Sequence, residues 1–328
     1  MKAIAPKIGT LLVGLLLASA AMAADPYPSK PITMMVPYPA GGLSDTLGRL
    51  VSTNMAKHLG QPVVVENLSG MSGAIGAQKV LDAPGDGYHL FQASPNEVIL
   101  SPLANEPVKF KSEDFRMVQL LGTFPIVLLA RNDLPANTAD EVVTLARKVS
   151  KERPLTYGSV GVGSFYHLMG AYLGATTNAK MTHMPYQGIA PLLKDMGEGK
   201  VDIAMLPYSK QYQALVEKGS LKIIGTLANT RPKSLANLPT VNEGKLLNNF
   251  GFSIWTGYMV KKDTPDRVVE QLNKAISATL ADPAVRKQLE DQSMIVASPM
   301  TQVEGNRQYA RETTIFRAIA QFVKLPRQ

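Results

Sequence analysis

The 328 residues include no cysteine, 45% are hydrophobic and the formal net charge is +8. Without cysteine there is neither a disulfide framework nor a thiolate nucleophile or metal ligand. The Lys and Arg residues are scattered rather than clustered, which excludes an ordinary nucleic-acid groove and leaves a mild long-range attraction for anions.

The chain opens on a targeting segment, residues 1–23. Lys2 and Lys7 give a basic start, residues 8–20 are apolar, and Ala21-Met22-Ala23 is an A-x-A cleavage signal. Gly9, Thr10 and Gly14 interrupt a stretch already short for a spanning helix. The leader is expected to be removed, leaving a soluble periplasmic protein; with no cysteine at the cut, no lipid anchor is expected. The roughly 300 remaining residues exceed one typical domain and suggest two.

Residues 32–36 form an apolar run of buried-strand type, and Leu47, Leu50, Val51 and Met55 fall on one helical face. Between them lies Pro37-Tyr38-Pro39-Ala40-Gly41-Gly42-Leu43-Ser44-Asp45. Ser44 or Asp45 is placed to cap the helix, and the two glycines let backbone approach a ligand. Free N–H groups at the positive end of a helix dipole suit an anion. From this turn Tyr38, Ala40, Gly41, Gly42, Ser44 and Asp45 are candidate ligand contacts. A single such turn is as readily a plain strand-to-helix connection, but the device recurs. Residues 69–76 follow Val63-Val64-Val65 and offer Ser72. Residues 158–164 follow the strand at 155–157 and offer Ser159, Gly163, Ser164 and, one turn on, His167. Pro185-Tyr186-Gln187-Gly188 follows the strand at 181–184 and offers Tyr186 and Gln187. Four such turns point to one shared ligand site.

The other elements alternate in the same way. A strand at 88–93 opens onto Ser94-Pro95-Asn96, adding Ser94 and Asn96 as candidates. Residues 117–121 and 126–130 make a long extended passage, followed by a helix at 138–149. Phe165, Leu168, Met169, Tyr172 and Leu173 lie at i, i+3, i+4, i+7 and i+8. Further helices are expected at 189–197, 210–218, 264–280 (started by Thr264-Pro265) and 303–322, with strands at 201–206, 221–228 and 252–260. Alternation of this kind predicts α/β architecture with parallel sheets and a ligand at the carboxyl ends of the strands.

Catalytic signatures are missing. There is no G-x-x-x-x-G-K-[ST], no H-E-x-x-H and no G-x-S-x-G, and Gly161-Val162-Gly163 has Tyr166 where a dinucleotide fingerprint needs its third glycine. Neither cofactor nor metal is expected. Ser164 and His167 are three apart on one helix, which raises a nucleophile-and-base reading; against it, Ser164 is the natural N-cap and no partner orients the base. His183 reads as a hydrogen-bonded core residue and Trp255 as core. Tyr38, Tyr166 and Tyr186 could offer hydroxyls or ring faces, or simply pack.

Taken together, Pro37-Tyr38-Pro39-Ala40-Gly41-Gly42-x-x-Asp45 with Arg49, Glu66-Asn67 with Gly73-x-x-Gly76, and Pro84-Gly85-Asp86-Gly87-Tyr88 resemble a known family. So do Gly161-x-Gly163-Ser164-x-x-His167-Leu168, His183-Met184-Pro185-Tyr186-Gln187-Gly188, Leu238-Pro239-Thr240-Val241-x-Glu243 and Thr264-Pro265. The family is that of the extracytoplasmic solute receptors of tripartite tricarboxylate transporters, the Bug proteins, and the resemblance spans nearly the whole mature chain. It implies an α/β, two-lobed periplasmic binding protein (type II-like), each lobe a mainly parallel sheet flanked by helices. Hinge crossovers would fall at 123–130 and 224–228, with lobe one 24–125 plus 228–328 and lobe two 126–227. The loops around Tyr38–Asp45 and Ser159–Ser164 would hold a carboxylate, largely through backbone groups and ordered water. Where family members often carry an aspartate after the strand at 201–205, this chain has Leu206-Pro207-Tyr208; Pro207 joins the candidate set and a plain or aromatic carboxylate fits better than an amino acid. The implied protein is a monomer, not an enzyme, which hands a small organic acid to membrane permease subunits and binds no nucleic acid. The alternatives are a ligand-presenting sensor component uncoupled from transport, and a hydrolase using Ser164 and His167.

Overall fold

One long strand belongs to both halves of the molecule. The computed structural model describes residues 26–327, and the expected leader at 1–23 lies outside the described residues. β1 (Ile32–Val36), α1 (Leu43–Leu59), β2 (Val63–Asn67), α2 (Ala74–Asp82) and β3 (His89–Ala93) alternate, with β1 parallel to both β2 and β3. A π-helical turn over Asn96–Leu100 and the short α3 (Ser101–Ala104) lead into β4 (Phe115–Arg131). The second half is α4 (Ala139–Val149), β5 (Leu155–Ser159), α5 (Phe165–Thr177), β6 (Met181–Pro185), α6 (Ile189–Gly197), β7 (Ile203–Pro207), α7 (Gln211–Glu217) and β8 (Leu221–Thr226). Here β5 runs parallel to β6 and β7. The chain returns through β9 (Ser253–Lys261), α8 (Asp266–Ala281), α9 (Pro283–Asp291), β10 (Ile295–Val296) and α10 (Gln302–Phe322). The architecture is α/β and two-lobed.

Parallel pairing holds in the β2-β1-β3 and β6-β5-β7 groups, while the strands that link the lobes run antiparallel to their neighbours. The first part of β4 pairs with β9 and β10, and its last part with β7 and β8. The change of partner falls at Pro125, which faces Ser253, and Ile126, which faces Pro207. Proline cannot donate to a ladder, so it suits a position where one set of partners ends and another begins. The return crossing lies beside it. Leu227 N–H donates to the Ile126 carbonyl at 2.8 Å and Phe252 N–H to the Leu227 carbonyl at 2.6 Å, while Tyr208 N–H donates to the Pro125 carbonyl at 2.8 Å. Both crossovers therefore pass through one hydrogen-bonded knot.

The sequence explains most of the local structure. In β1, Ile32, Met34, Met35 and Val36 are all buried, as a strand covered on both faces requires. Ser164 caps α5 and Thr138 caps α4, while Thr301 and Glu304 form a capping box at the start of α10. Two expected caps differ. α1 starts two or three residues earlier than a Ser44 or Asp45 cap would give, with Gly42 at the cap position and no side-chain cap, because Asp45 turns back to the turn instead of to the first helical N–H groups. α8 has Pro265 at its cap position rather than Thr264. α9 is an addition to the expected elements, although Asp282 followed by Pro283 is a legible start signal. Trp255 is core, packed edge-on against Tyr309. Among the described residues no helix is long and apolar enough to cross a membrane.

Candidate ligand-binding site

The glycine turns of the two lobes meet. Asn96, just after β3, accepts the N–H of Phe165 at the start of α5 through Oδ1 at 2.8 Å. A Cβ built on Gly163 would lie 2.2 Å from the Ala104 Cβ, and one built on Gly161 would lie 3.8 Å from the Ser72 Oγ. Ser72 itself is in the left-handed region, φ 51°, within a 3-10 turn over Met71–Gly73. The segments after β2 and β3 thus face the turn after β5.

On the first lobe the β1–α1 turn is braced from within. Gly41, at φ 80°, donates its N–H to Asp45 Oδ2 at 2.9 Å, and Arg49 holds the same carboxylate at 3.0 Å. These contacts, Arg49 first, hold the Asp45 carboxyl down to about 2. Asn67 links Arg49 to the Tyr38 carbonyl, at 3.3 and 3.0 Å. Asp45 is therefore a brace rather than an open acceptor. The N–H groups of Leu43, Ser44 and Asp45, in the first turn of α1, have no partner in the helix's own ladder. Ala40, Gly41 and Gly42 are exposed, and the Ser44 carbonyl accepts from buried Gln92 at 2.8 Å.

Behind this turn sits a carboxyl that the sequence does not single out. Glu97 is fully buried and accepts the Tyr38 O–H and the Ser94 N–H. The Ser94 hydroxyl in turn accepts the Asn96 N–H at 3.3 Å. No spacing rule marks Glu97; one acidic residue in an apolar helical turn, Asn96-Glu97-Val98-Ile99-Leu100, is the only local signal.

On the second lobe the site is built around two stacked imidazoles. His167 and His183 lie 3.8 Å apart and 8° from parallel. His167 Nδ1 accepts the Gly163 N–H at 3.1 Å, which leaves the ring proton on Nε2. Ser159 donates to the Gly161 carbonyl at 2.9 Å, so His183 Nε2, at 2.7 Å, is the donor to Ser159 Oγ. Ser164 donates to the Gly161 carbonyl at 2.7 Å and accepts the backbone N–H of His167 at 3.3 Å. Its hydroxyl makes no hydrogen bond to the His167 ring, so the nucleophile-and-base pair of the hydrolase alternative is not assembled.

Three candidates stand apart. The Tyr186 hydroxyl is committed to Asp195 of α6 at 2.9 Å, and burial first, then Asp195, pushes the phenol up to about 12. Gln187 is exposed, and Pro207 lies at the crossover opposite Ile126. Two surface grooves open elsewhere, one of about 480 Å³ along α10 beside Arg307 and Arg311 and one of about 380 Å³ along α2 beside Phe110. Neither is lined by any of the candidate ligand residues.

The imidazole stack makes stability depend on pH. Burial, with His183 alongside, pushes His167 down to about 3, and burial pushes His183 down to about 4. In the unfolded chain each takes a proton near pH ~6.5. Between these values the unfolded state binds more protons, so stability is present near neutral pH and is lost as pH falls from about 6.5 through the folded values. His183 is only half-buried and solvent screens much of its share, so the two rings together contribute on the order of a few kcal/mol, well below what the full shifts would give. Denaturant unfolding at neutral and acidic pH should show that loss, and His167→Asn, whose side-chain oxygen replaces the Nδ1 acceptor, should flatten the profile. An unchanged slope in the variant would remove His167 as its source.

A family model described as tripartite tricarboxylate transporter family receptor matches residues 47–320. The chain belongs to this receptor family. Solved structures with the same fold include the periplasmic binding protein BugD, at 26% identity and a TM-score of 0.77 over 92% of this chain and 100% of that one. Rpa4515 of Rhodopseudomonas palustris, solved with adipate, is 26% identical with a TM-score of 0.80 over 92% and 100% of the two chains. MatC of the same organism, solved with bound malate, is 27% identical with a TM-score of 0.77 over 89% and 99%. The family and these neighbours are binding proteins rather than enzymes.

Proposed function

We propose that this receptor captures a small organic carboxylate in the periplasm, between lobe one (24–125 plus 228–328) and lobe two (126–227), and delivers it as a monomer to permease subunits. The observation that carries the reading is the facing pair of glycine turns. The first turn of α1 leaves backbone N–H groups without helical partners at the positive end of the helix, and the Ser159–Ser164 loop faces the neighbouring segments after β2 and β3. That arrangement receives a carboxylate through backbone donors without a cationic side chain. Arg49, in the second turn of α1, is engaged by Asp45. Adipate and malate in the two neighbours support a dicarboxylate, and Leu206-Pro207-Tyr208 offers no carboxylate to an ammonium group.

Thermal-shift screening against mono-, di- and tricarboxylates and aromatic acids tests the reading. A ligand at a hundred times its dissociation constant adds about 2.7 kcal/mol to folding stability, and the scattering radius should fall as the lobes close on it. Stabilisation by no carboxylate, or closure by none, would overturn the proposal.

A further inference from the structure

We propose that Glu97 is an affinity-determining residue of this cleft: the site takes a carboxylate tightly only when Glu97 carries a proton, and that proton frees the Tyr38 hydroxyl to donate to the ligand. The inference rests on the carboxylate reading given above.

Glu97 is packed by the same turns that form the site. Tyr38 comes from the β1–α1 turn, Ser94 from the end of β3, and Gly73 from the turn before α2, where a Cβ would lie 2.3 Å from Glu97 Cγ. Tyr166 of α5 feels the Glu97 charge, which adds to burial and Tyr212 in raising that phenol. The side chain is wholly buried and no cation lies within ion-pair distance of it among the described residues. A buried carboxylate with hydrogen bonds but no countercharge is expensive to keep ionised. A ligand carboxylate on the neighbouring N–H groups adds like-charge repulsion, which favours the protonated acid.

The groups facing Glu97 do nothing to offset this. From the β1–α1 turn and α5 they are the two tyrosines, both held neutral by burial. Asp45 and Arg49 compensate each other, His167 and His183 are neutral, and the turn carrying Gly73 brings no charge. Burial, partly opposed by the hydrogen bonds from Tyr38 and Ser94, raises the Glu97 carboxyl to about 7. Ligand binding at neutral pH therefore draws a proton from solvent onto Glu97.

The hydrogen-bond directions follow from the donor count. While Glu97 is ionised, the single proton of Tyr38 is spent on it. Once protonated, Glu97 donates to the Tyr38 oxygen, and the phenol O–H swings to the ligand. No bond other than O–H is made or broken, and the proton comes from water or buffer.

Adipate is the probe. Calorimetry on the mature full chain, in two buffers of different ionisation enthalpy, should show uptake of about half a proton at pH ~7 and close to one at pH ~8, with affinity about tenfold weaker at pH ~8 than at pH ~6. Glu97→Gln should abolish proton uptake and flatten the affinity profile. Tyr38→Phe, which leaves Glu97 buried with one donor fewer, should move the profile to higher pH and weaken binding at the acidic end; it carries the test if the Gln variant folds poorly. Adipate binding without proton uptake in the wild type would overturn the proposal and leave the receptor reading intact. So would uptake that persists unchanged in both variants. No binding of adipate or of any acid in the screen would instead overturn the carboxylate reading, and the proposal with it.

Discussion

Replacing Gly163 with alanine is expected to hold the lobes apart and weaken carboxylate binding by more than tenfold, about 1.4 kcal/mol or more. Two effects act together. Gly163 sits at φ 74°, where a side chain is strained, and the added Cβ would lie 2.2 Å from the Ala104 Cβ on the opposite lobe. Neither lobe's core contains that contact, so each should fold, and the loss should appear as a larger scattering radius with ligand present. Ala104→Gly in the same background removes the atom in the way. It should recover much of the closure and affinity, leaving only the φ strain. A Gly163→Ala chain that closes and binds normally would mean that this contact does not limit the closed state.

Gly42→Val separates a ligand site from a structural turn. Gly42 has φ −81° and ψ 173°, extended values that valine adopts readily, and a Cβ there meets only the Pro39 carbonyl oxygen, at 3.4 Å. Apo melting should therefore change little, while the isopropyl group occupies the approach to the free N–H groups of α1. A loss of more than tenfold in affinity is expected here too. Gly41→Val is a poorer probe, because Gly41 at φ 80° would lose stability as well. Calorimetry alongside apo melting distinguishes the outcomes. Normal affinity in a folded Gly42→Val protein would move the carboxylate away from this turn.

The imidazole stack and the Glu97 network differ in how far they are foreseeable. His167 is within reach of sequence reasoning because it shares a helix with Ser164, and its spacing fixes which way it points. Its partner His183 is sixteen residues away on another strand, in a segment that reads as ordinary core. Nothing local connects them; β5 and β6 must pair before Tyr157, His167 and His183 can stack. Asn96 is expected from its turn to lie beside the ligand, but that turn does not foretell that its Oδ1 accepts the Phe165 N–H.

By itself the sequence determined most of the elements, because hydrophobic period, glycine turns and most caps act over a few residues; α3, α9 and β10 were added by the structure. It also determined that these turns leave the carboxyl ends of strands, and its motifs identified the receptor family. Only the tertiary structure decided which polar groups remain available. Asp45 is consumed by Gly41 and Arg49, Tyr186 by Asp195, and Tyr38 by Glu97. Such pairings depend on which segments the sheet brings within about 3 Å of each other, the reach of a hydrogen bond. The 59 residues that separate Tyr38 from Glu97 have no pattern that records this contact.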